Sequence, residues 1–341
     1  MDFTNLIIIS ILFVLLNFFC VKYNLLVDRV DNSGHKKFIN QKDNIPITGG
    51  IYLFSCYLLA GTYIYNSFEI YFFGIILILG YFSDILKNFY PSLRLLLQII
   101  LLTIFLLQFD LIIKDVRIEK INLILETKIF AYIFTVFCLA VLINGSNFID
   151  GVNILSIGYY LLITLCLTFL TSQTELVINQ NLIEMFSLVL IFLLVLNLMN
   201  KVFLGDSGIY CLSLIIAIIL IKFNNDNIII SPYYIICLLW YPCFENLFSI
   251  IRKSMSNSDP QKPDNMHLHH LLYKNLKFLK SKLVRNNVCG FIILVFNLPL
   301  LLLATNYYNY TKYLLIIILI STFLYIYFYF YLRNRIEKKN L

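Results

Sequence analysis

Hydrophobic residues in this chain come in long unbroken runs, separated by short polar segments. The runs lack the every-second-residue alternation of a half-buried strand, and most are about as long as a helix needs to cross a bilayer, ~20 residues. They predict eleven helical spans, at 3–21, 47–65, 68–83, 92–108, 128–144, 152–171, 182–199, 208–222, 230–250, 287–305 and 312–332. Helices are the expected form, because lipid offers no partner to an open backbone and a barrel would need alternating strands. The predicted fold class is therefore all-α: one integral membrane helical bundle over 1–341, with no internal repeat and no linker.

Composition sharpens this picture. Sixty per cent of the 341 residues are apolar and 13% are charged, with a mean hydropathy of +0.83. Too few polar residues remain to cover a water-facing globule, which excludes a soluble enzyme and a disordered chain. The net charge is +7, with 26 Lys and Arg. Twenty of these fall in 22–46, 84–94, 144–151, 200–207, 251–286 and 333–341 when the N-terminus is placed outside. That bias predicts an N-out, C-in chain and argues for loop charge, not nucleic-acid binding. The first run has no basic residue before it and Lys22 directly after Val21, the charge order of a retained span and not of a cleaved signal. The eight cysteines form no CxxC pair and read as small buried residues.

The polar segments on the predicted cytoplasmic side carry the candidate chemistry. Pro46-Ile47-Thr48-Gly49-Gly50 opens the second run. It could offer a helix N-terminus to a phosphate, but alone it reads as a helix-start turn with glycine packing. Ser83-Asp84 ends the third run, with Arg94 and Gln98 following. Asn144 to Asn153 brings amides together with Asp150, groups suited to hydrogen-bonding a nucleotide or to holding a metal through oxygen. In Lys201 to Gly208, Phe203 offers a stacking face and Asp206 a hard oxygen ligand for Mg²⁺. Three of the four histidines, His267, His269 and His270, share one basic loop. They can donate to phosphate oxygens; zinc is disfavoured because no fourth ligand stands at useful spacing. His35-Lys36-Lys37 reads as loop charge.

These clusters, in this order, resemble the polyprenyl-phosphate N-acetylhexosamine-1-phosphate transferases, relatives of the phospho-N-acetylmuramoyl-pentapeptide translocase. The resemblance runs from Asp28 to about Arg285. It implies transfer of a sugar-1-phosphate from a UDP-N-acetylhexosamine to undecaprenyl phosphate, with release of UMP and with Mg²⁺ or Mn²⁺ as cofactor. It also implies a multi-pass protein of the bacterial cytoplasmic membrane, with the site facing the cytoplasm and the lipid bilayer as its setting. A homodimer is left open. By position, Lys42 matches a basic residue facing the phosphates and Asp84 the second residue of an aspartate pair. Asn147, Asp150 and Asn153 match the nucleotide-holding stretch, and Phe203 the uracil-stacking position. Asp206 matches the metal-binding aspartate, Lys201 lies beside the substrate, and His267, His269 and His270 match the histidine motif. Asp84, Asp206 and His269 are the expected catalytic residues. Glu245 falls in a family-like stretch with no assigned role. Two departures, Ser83 and Asn153 at acidic positions, resemble the branch that initiates O-antigen and capsule chains.

A lipid phosphate is mostly dianionic at neutral pH, its second pKa lying near ~6, so it needs no strong base to act as nucleophile. Direct attack is the expected pathway and a covalent aspartyl-phosphate the runner-up. The rival functions are a transporter or flippase, which needs polar residues at the bilayer midplane, and a catalytically silent lipid-binding homologue, which Ser83 keeps in view.

Overall fold

The computed structural model describes residues 3–28, 45–64, 67–86, 90–256 and 264–340. Lys42, the His35 to Phe38 segment and Pro263 lie outside the described residues. Among the described residues the chain is a bundle of fourteen helices, with one isolated antiparallel bridge between Val27 and Pro46. Every predicted run is helical. The helices are α1 (Phe3–Tyr23), α2 (Gly49–Ile64), α3 (Ser67–Ile85), α4 (Pro91–Phe109), α5 (Glu119–Leu125), α6 (Lys128–Ile149), α7 (Leu155–Gln173), α8 (Gln180–Leu198), α9 (Gly205–Asp226), α10 (Pro232–Leu238), α11 (Trp240–Met255), α12 (Leu268–Asn275), α13 (Lys282–Asn306) and α14 (Thr311–Asn340).

Eight of these, α1, α4, α6, α7, α8, α9, α13 and α14, are long and apolar enough to cross a membrane, or nine if α10 and α11 count as one span. Eleven crossings were expected. α2 and α3 occupy two of the predicted runs, as helices of 16 and 19 residues. The predicted span 230–250 is broken: α10 and α11 meet at 74°. Proline at 242 has no N–H to give the carbonyl of Leu238, and this breaks the ladder. The hydroxyl of Tyr159 takes that carbonyl instead, at 3.0 Å. The break turns α11 so that Glu245, Asn246, Ser249 and Lys253 are buried along it.

α9 is the central post. It packs against α2, α3 and α6, and most of its side chains are buried. Glycines let α2 and α3 approach it. A methyl group on Gly50 would lie 2.8 Å from the Cα of Gly208, and one on Gly80 would lie 2.2 Å from the Cα of Ser207. The glycines of the Pro46 to Gly50 segment thus serve packing, and the Gly49 amide is held by the Phe203 carbonyl at 3.1 Å. Around this post α1, α4 and α14 bury only part of their surface, and Phe18, Leu107, Leu319 and Phe323 are among the large apolar side chains they leave outside. An outer face this apolar suits lipid and not water. All eight cysteines are free thiols, buried or half-buried.

Candidate functional site

The polar segments converge on one cavity of about 990 Å³. Its wall includes Asp84, Arg94, Asn144, Asn147, Asp150, Asn153, Phe203, Asp206, Lys253, Asp264, His267, His269 and His270. Nine of the eleven residues expected in the site line this wall; Lys201 is exposed and does not line it, and Lys42 lies outside the described residues.

Local structure explains how each group is presented. The stretch 144–149, expected as a loop, is the end of α6. Asn144 and Asn147 are three residues apart and so share a helix face. Asn144 bonds Gln98 of α4 at 3.0 Å. α9 begins at Gly205, whose φ of +68° is a conformation glycine adopts without steric cost. Asp206 therefore sits in the first turn of α9. The two oxygens of Asp84 accept the backbone amides of Asp206 (3.1 Å) and Ser207 (3.3 Å). Asp84 thus holds the exposed amides at the start of α9, where a carboxylate is favoured.

On Asp206, one carboxylate oxygen, Oδ2, collects three donors: the Ser83 hydroxyl at 2.5 Å, Arg94 at 3.1 Å and the Tyr210 hydroxyl at 3.2 Å. Ser83 and Arg94 also bond each other at 3.2 Å. Asp150 lines the same cavity. Burial pushes its carboxyl up to about 7, against the hydroxyl of Ser156, which donates to it; the Asp206 charge adds to the rise.

Asn153 lines the cavity as expected of a site residue and also bonds within the protein. Its amide donates to Asn200 (2.9 Å) and Asn287 (3.0 Å), and its backbone N–H to Asn286 (3.1 Å). Asn197 adds a bond to the backbone of Ile154 at 2.6 Å. This knot of asparagines ties the α6–α7 turn to α8 and α13, so Asn153 is also a brace at the cavity edge.

The histidines form a stack. His267 and His269 lie parallel at 5.7 Å, and His270 is 4.1 Å from His269. His269 is fully buried, and among the described residues neither ring nitrogen has a hydrogen-bond partner. Burial, with His270 and His267 beside it, holds its pKa well below the ordinary imidazole range, so the ring is neutral. A methyl group on Gly151 would lie 2.3 Å from its Nε2; glycine leaves this ring its place.

Residues not anticipated as site members stand here too. Arg94 reaches the cavity from the first turns of α4. Lys253 is 4% exposed and lines it from α11. Asp264 lines it while paired with Arg252 at 2.7 Å. A basic residue in a loop-rich, positively charged stretch looks like any other in sequence, and only the turn of α11 separates Lys253 from its neighbours.

Among the described residues no group of three or more His, Cys, Asp or Glu is arranged to hold a metal ion. Mg²⁺, however, commonly uses one or two carboxylates and completes its shell with water and substrate phosphates. Asp206 fits that pattern, since its three donors all fall on Oδ2. Asp150, close enough to feel the charge of Asp206, offers a second oxygen donor.

Most of the rest of the cavity wall is apolar, with Asp28, Asn197 and Asn246 as its further polar members. Pro91, Leu95 and Ile99 of α4, Ile133, Val136, Phe137, Ala140 and Val141 of α6, and Ile250 of α11 extend it into a greasy groove.

Comparison with known proteins agrees with this arrangement. The chain is 30% identical over 145 residues to a protein of Bacillus subtilis (strain 168) named as a probable undecaprenyl-phosphate N-acetylglucosaminyl 1-phosphate transferase, covering 42% of this chain and 40% of that relative. It is 29% identical over 84 residues to an undecaprenyl-phosphate alpha-N-acetylglucosaminyl 1-phosphate transferase of Thermotoga maritima, covering 25% of this chain and 28% of the relative. The matched stretches thus span less than half the length of these relatives. The family pattern of glycosyl transferase family 4 matches residues 48–224. That stretch holds Asp84, Asn147, Asp150, Phe203 and Asp206 and ends before the histidines. Because the pattern covers more than half of the chain and carries the acidic and amide wall of the cavity, this multi-pass protein belongs to glycosyl transferase family 4.

Proposed function

We propose that the protein transfers N-acetylhexosamine-1-phosphate from a UDP-sugar to undecaprenyl phosphate, releasing UMP and starting a lipid-linked surface glycan. One observation carries this reading: a single cavity joins a polar wall of carboxylates, amides, imidazoles and cations to an apolar groove between α4, α6 and α11. A nucleotide-sugar suits the first part and a prenyl chain the second. The names of the Bacillus and Thermotoga relatives point the same way.

Phe203 would stack on the uracil, with Asn147 reading polar edges of the nucleotide. Arg94 and Lys253 would offset the charge of two approaching phosphates. Asp206, with Asp150, would hold Mg²⁺ or Mn²⁺, which when bound screens phosphate charge. Both oxygens of Asp84 are engaged by α9 and Oδ2 of Asp206 by three donors. Asp84 is therefore not poised as a nucleophile, which favours direct attack by the lipid phosphate over an aspartyl-phosphate on that residue. The loop charges favour a cytoplasmic site, in the inner membrane of a bacterium.

The test is UMP release by purified protein in lipid or detergent, across several UDP-N-acetylhexosamines. UMP should form only with undecaprenyl phosphate and Mg²⁺ both present. No UMP with any donor would refute the reading. Exchange of labelled UMP into the UDP-sugar without lipid would replace direct attack by the covalent route.

A further inference from the structure

Glu245 is 1% exposed and, with Glu69, is one of two buried glutamates among the described residues. Its oxygens are shared among three partners. Oε1 accepts the backbone N–H of Leu268 at 3.3 Å and lies 2.9 Å from Nδ1 of His267. Oε2 accepts the hydroxyl of Tyr325 at 2.7 Å. The backbone N–H can only donate, so Oε1 is an acceptor. An ionised carboxylate donates nothing. With Glu245 as a carboxylate, Nδ1 of His267 is the donor of that pair, and Nε2 is the ring nitrogen left for other partners.

The rest of the surroundings fix where Nε2 points. The ring of His267 lies between Phe148, 4.8 Å away, and His269, parallel at 5.7 Å. Nε2 is 3.7 Å from Oδ1 of Asp264, a carboxylate on the cavity wall that Arg252 pairs. Tyr325 is itself packed edge-on by Phe244 and Phe248, at 4.9 and 5.3 Å. Asn275 of α12 bonds the Leu332 carbonyl of α14 at 3.1 Å. α14, which adds nothing to the cavity wall, thus braces the helix that carries the histidines.

We propose that Glu245 is a positioning residue. It holds His267 in the Nδ1–H form and fixes the start of α12, so that Nε2 faces the diphosphate of the bound nucleotide-sugar. In the neutral ring Nε2 is an acceptor; with a proton taken up from solvent it donates a hydrogen bond, without giving the proton up, to a phosphate oxygen as charge builds on the departing UMP. The buried carboxylate steadies that cation, in the way outer partners orient and tune working imidazoles elsewhere. This role rests on the transferase reading above.

The chain has only four histidines, so ring ¹⁵N signals can be assigned by removing them one at a time. In the neutral ring His267 should show a protonated Nδ1 and a bare Nε2. The opposite tautomer in the wild-type protein would overturn the proposal. Glu245→Ala should give a mixed tautomer signal and lower kcat by about tenfold or more, with KM for the UDP-sugar changed less than that. Glu245→Gln, which keeps the shape, should retain part of kcat, and Tyr325→Phe more. A brace with no part in the chemistry would cut the yield of folded protein and leave kcat per folded molecule intact, and that result would also overturn it. Should Glu245→Ala fail to fold, the wild-type spectrum and Glu245→Gln decide. If the wild-type protein released no UMP with any donor, the transferase reading would fail, while the nitrogen spectrum would still decide the orientation of His267.

Discussion

Two aspartates 122 residues apart look alike in sequence and do different work in the fold. Both line the cavity, but Asp84 accepts the amides of residues 206 and 207, whereas Asp206 accepts from the side chains of Ser83, Arg94 and Tyr210. Asp84→Ala removes a helix-start acceptor and should lower stability by about 1–2 kcal/mol, read as a drop in the melting temperature. Asp206→Asn keeps acceptors for Ser83, Arg94 and Tyr210. Its melting temperature should stay near wild type while UMP release falls by about 100-fold. Full activity in that variant would remove Asp206 from the metal's neighbourhood. His269 makes a pH prediction. Its folded pKa is depressed below the unfolded value of ~6.5. The resulting stability is present above that value and lost as pH falls beneath it. Thermal unfolding scans between about pH 8 and 5 should show the loss, and His269→Gln should flatten it; an equally steep fall in the variant would point to other groups.

Among the elements, α9 and α3 set the geometry of the acidic wall. Their approach is so close that a methyl group at Gly80 would overlap the backbone of Ser207, next to the amides that Asp84 holds. Gly80→Ala should therefore cost about 1–3 kcal/mol through overpacking and lose UMP release as well. Gly74 lies on the same helix, but a methyl there meets only the far end of Phe54, at 3.3 Å. Gly74→Ala should leave both melting temperature and activity close to wild type. Similar losses in the two variants would mean that the α3–α9 contact is not what positions the site. The break between α10 and α11 matters for the same reason. A straight helix over 230–250 would carry Glu245 and Lys253 along a different line from the one that meets α12.

At the scale of the whole molecule, the cavity has two kinds of wall, and they should be separable. Ala140 lines the apolar groove on α6, ten residues before Asp150. Ala140→Trp should raise the KM for undecaprenyl phosphate by about tenfold or more, since burying a prenyl chain depends on apolar area at roughly 25 cal/mol per Å². Binding of the UDP-sugar, followed by calorimetry or a spin-down assay, should be little changed. Weakened nucleotide binding with unchanged lipid KM would reverse the assignment of the two walls.

Long apolar runs and few charges dictate a helical membrane bundle by themselves, because lipid accepts only a backbone that satisfies itself locally. Residue type and order likewise mark Asn147, Asp150, Phe203, Asp206 and the histidines, since hard oxygen donors, amides and imidazoles suit phosphates and metals wherever they occur. Tertiary structure decided which polar atoms are already engaged. Ser83 meets Asp206 across 123 residues and Glu245 meets Tyr325 across 80, and no local pattern encodes such partners. It likewise made Asn153 a brace, left Lys201 outside the cavity wall and gave Glu245 its place behind His267. A side chain's chemistry is written in its type, but its task depends on which donors and acceptors the fold has set against it.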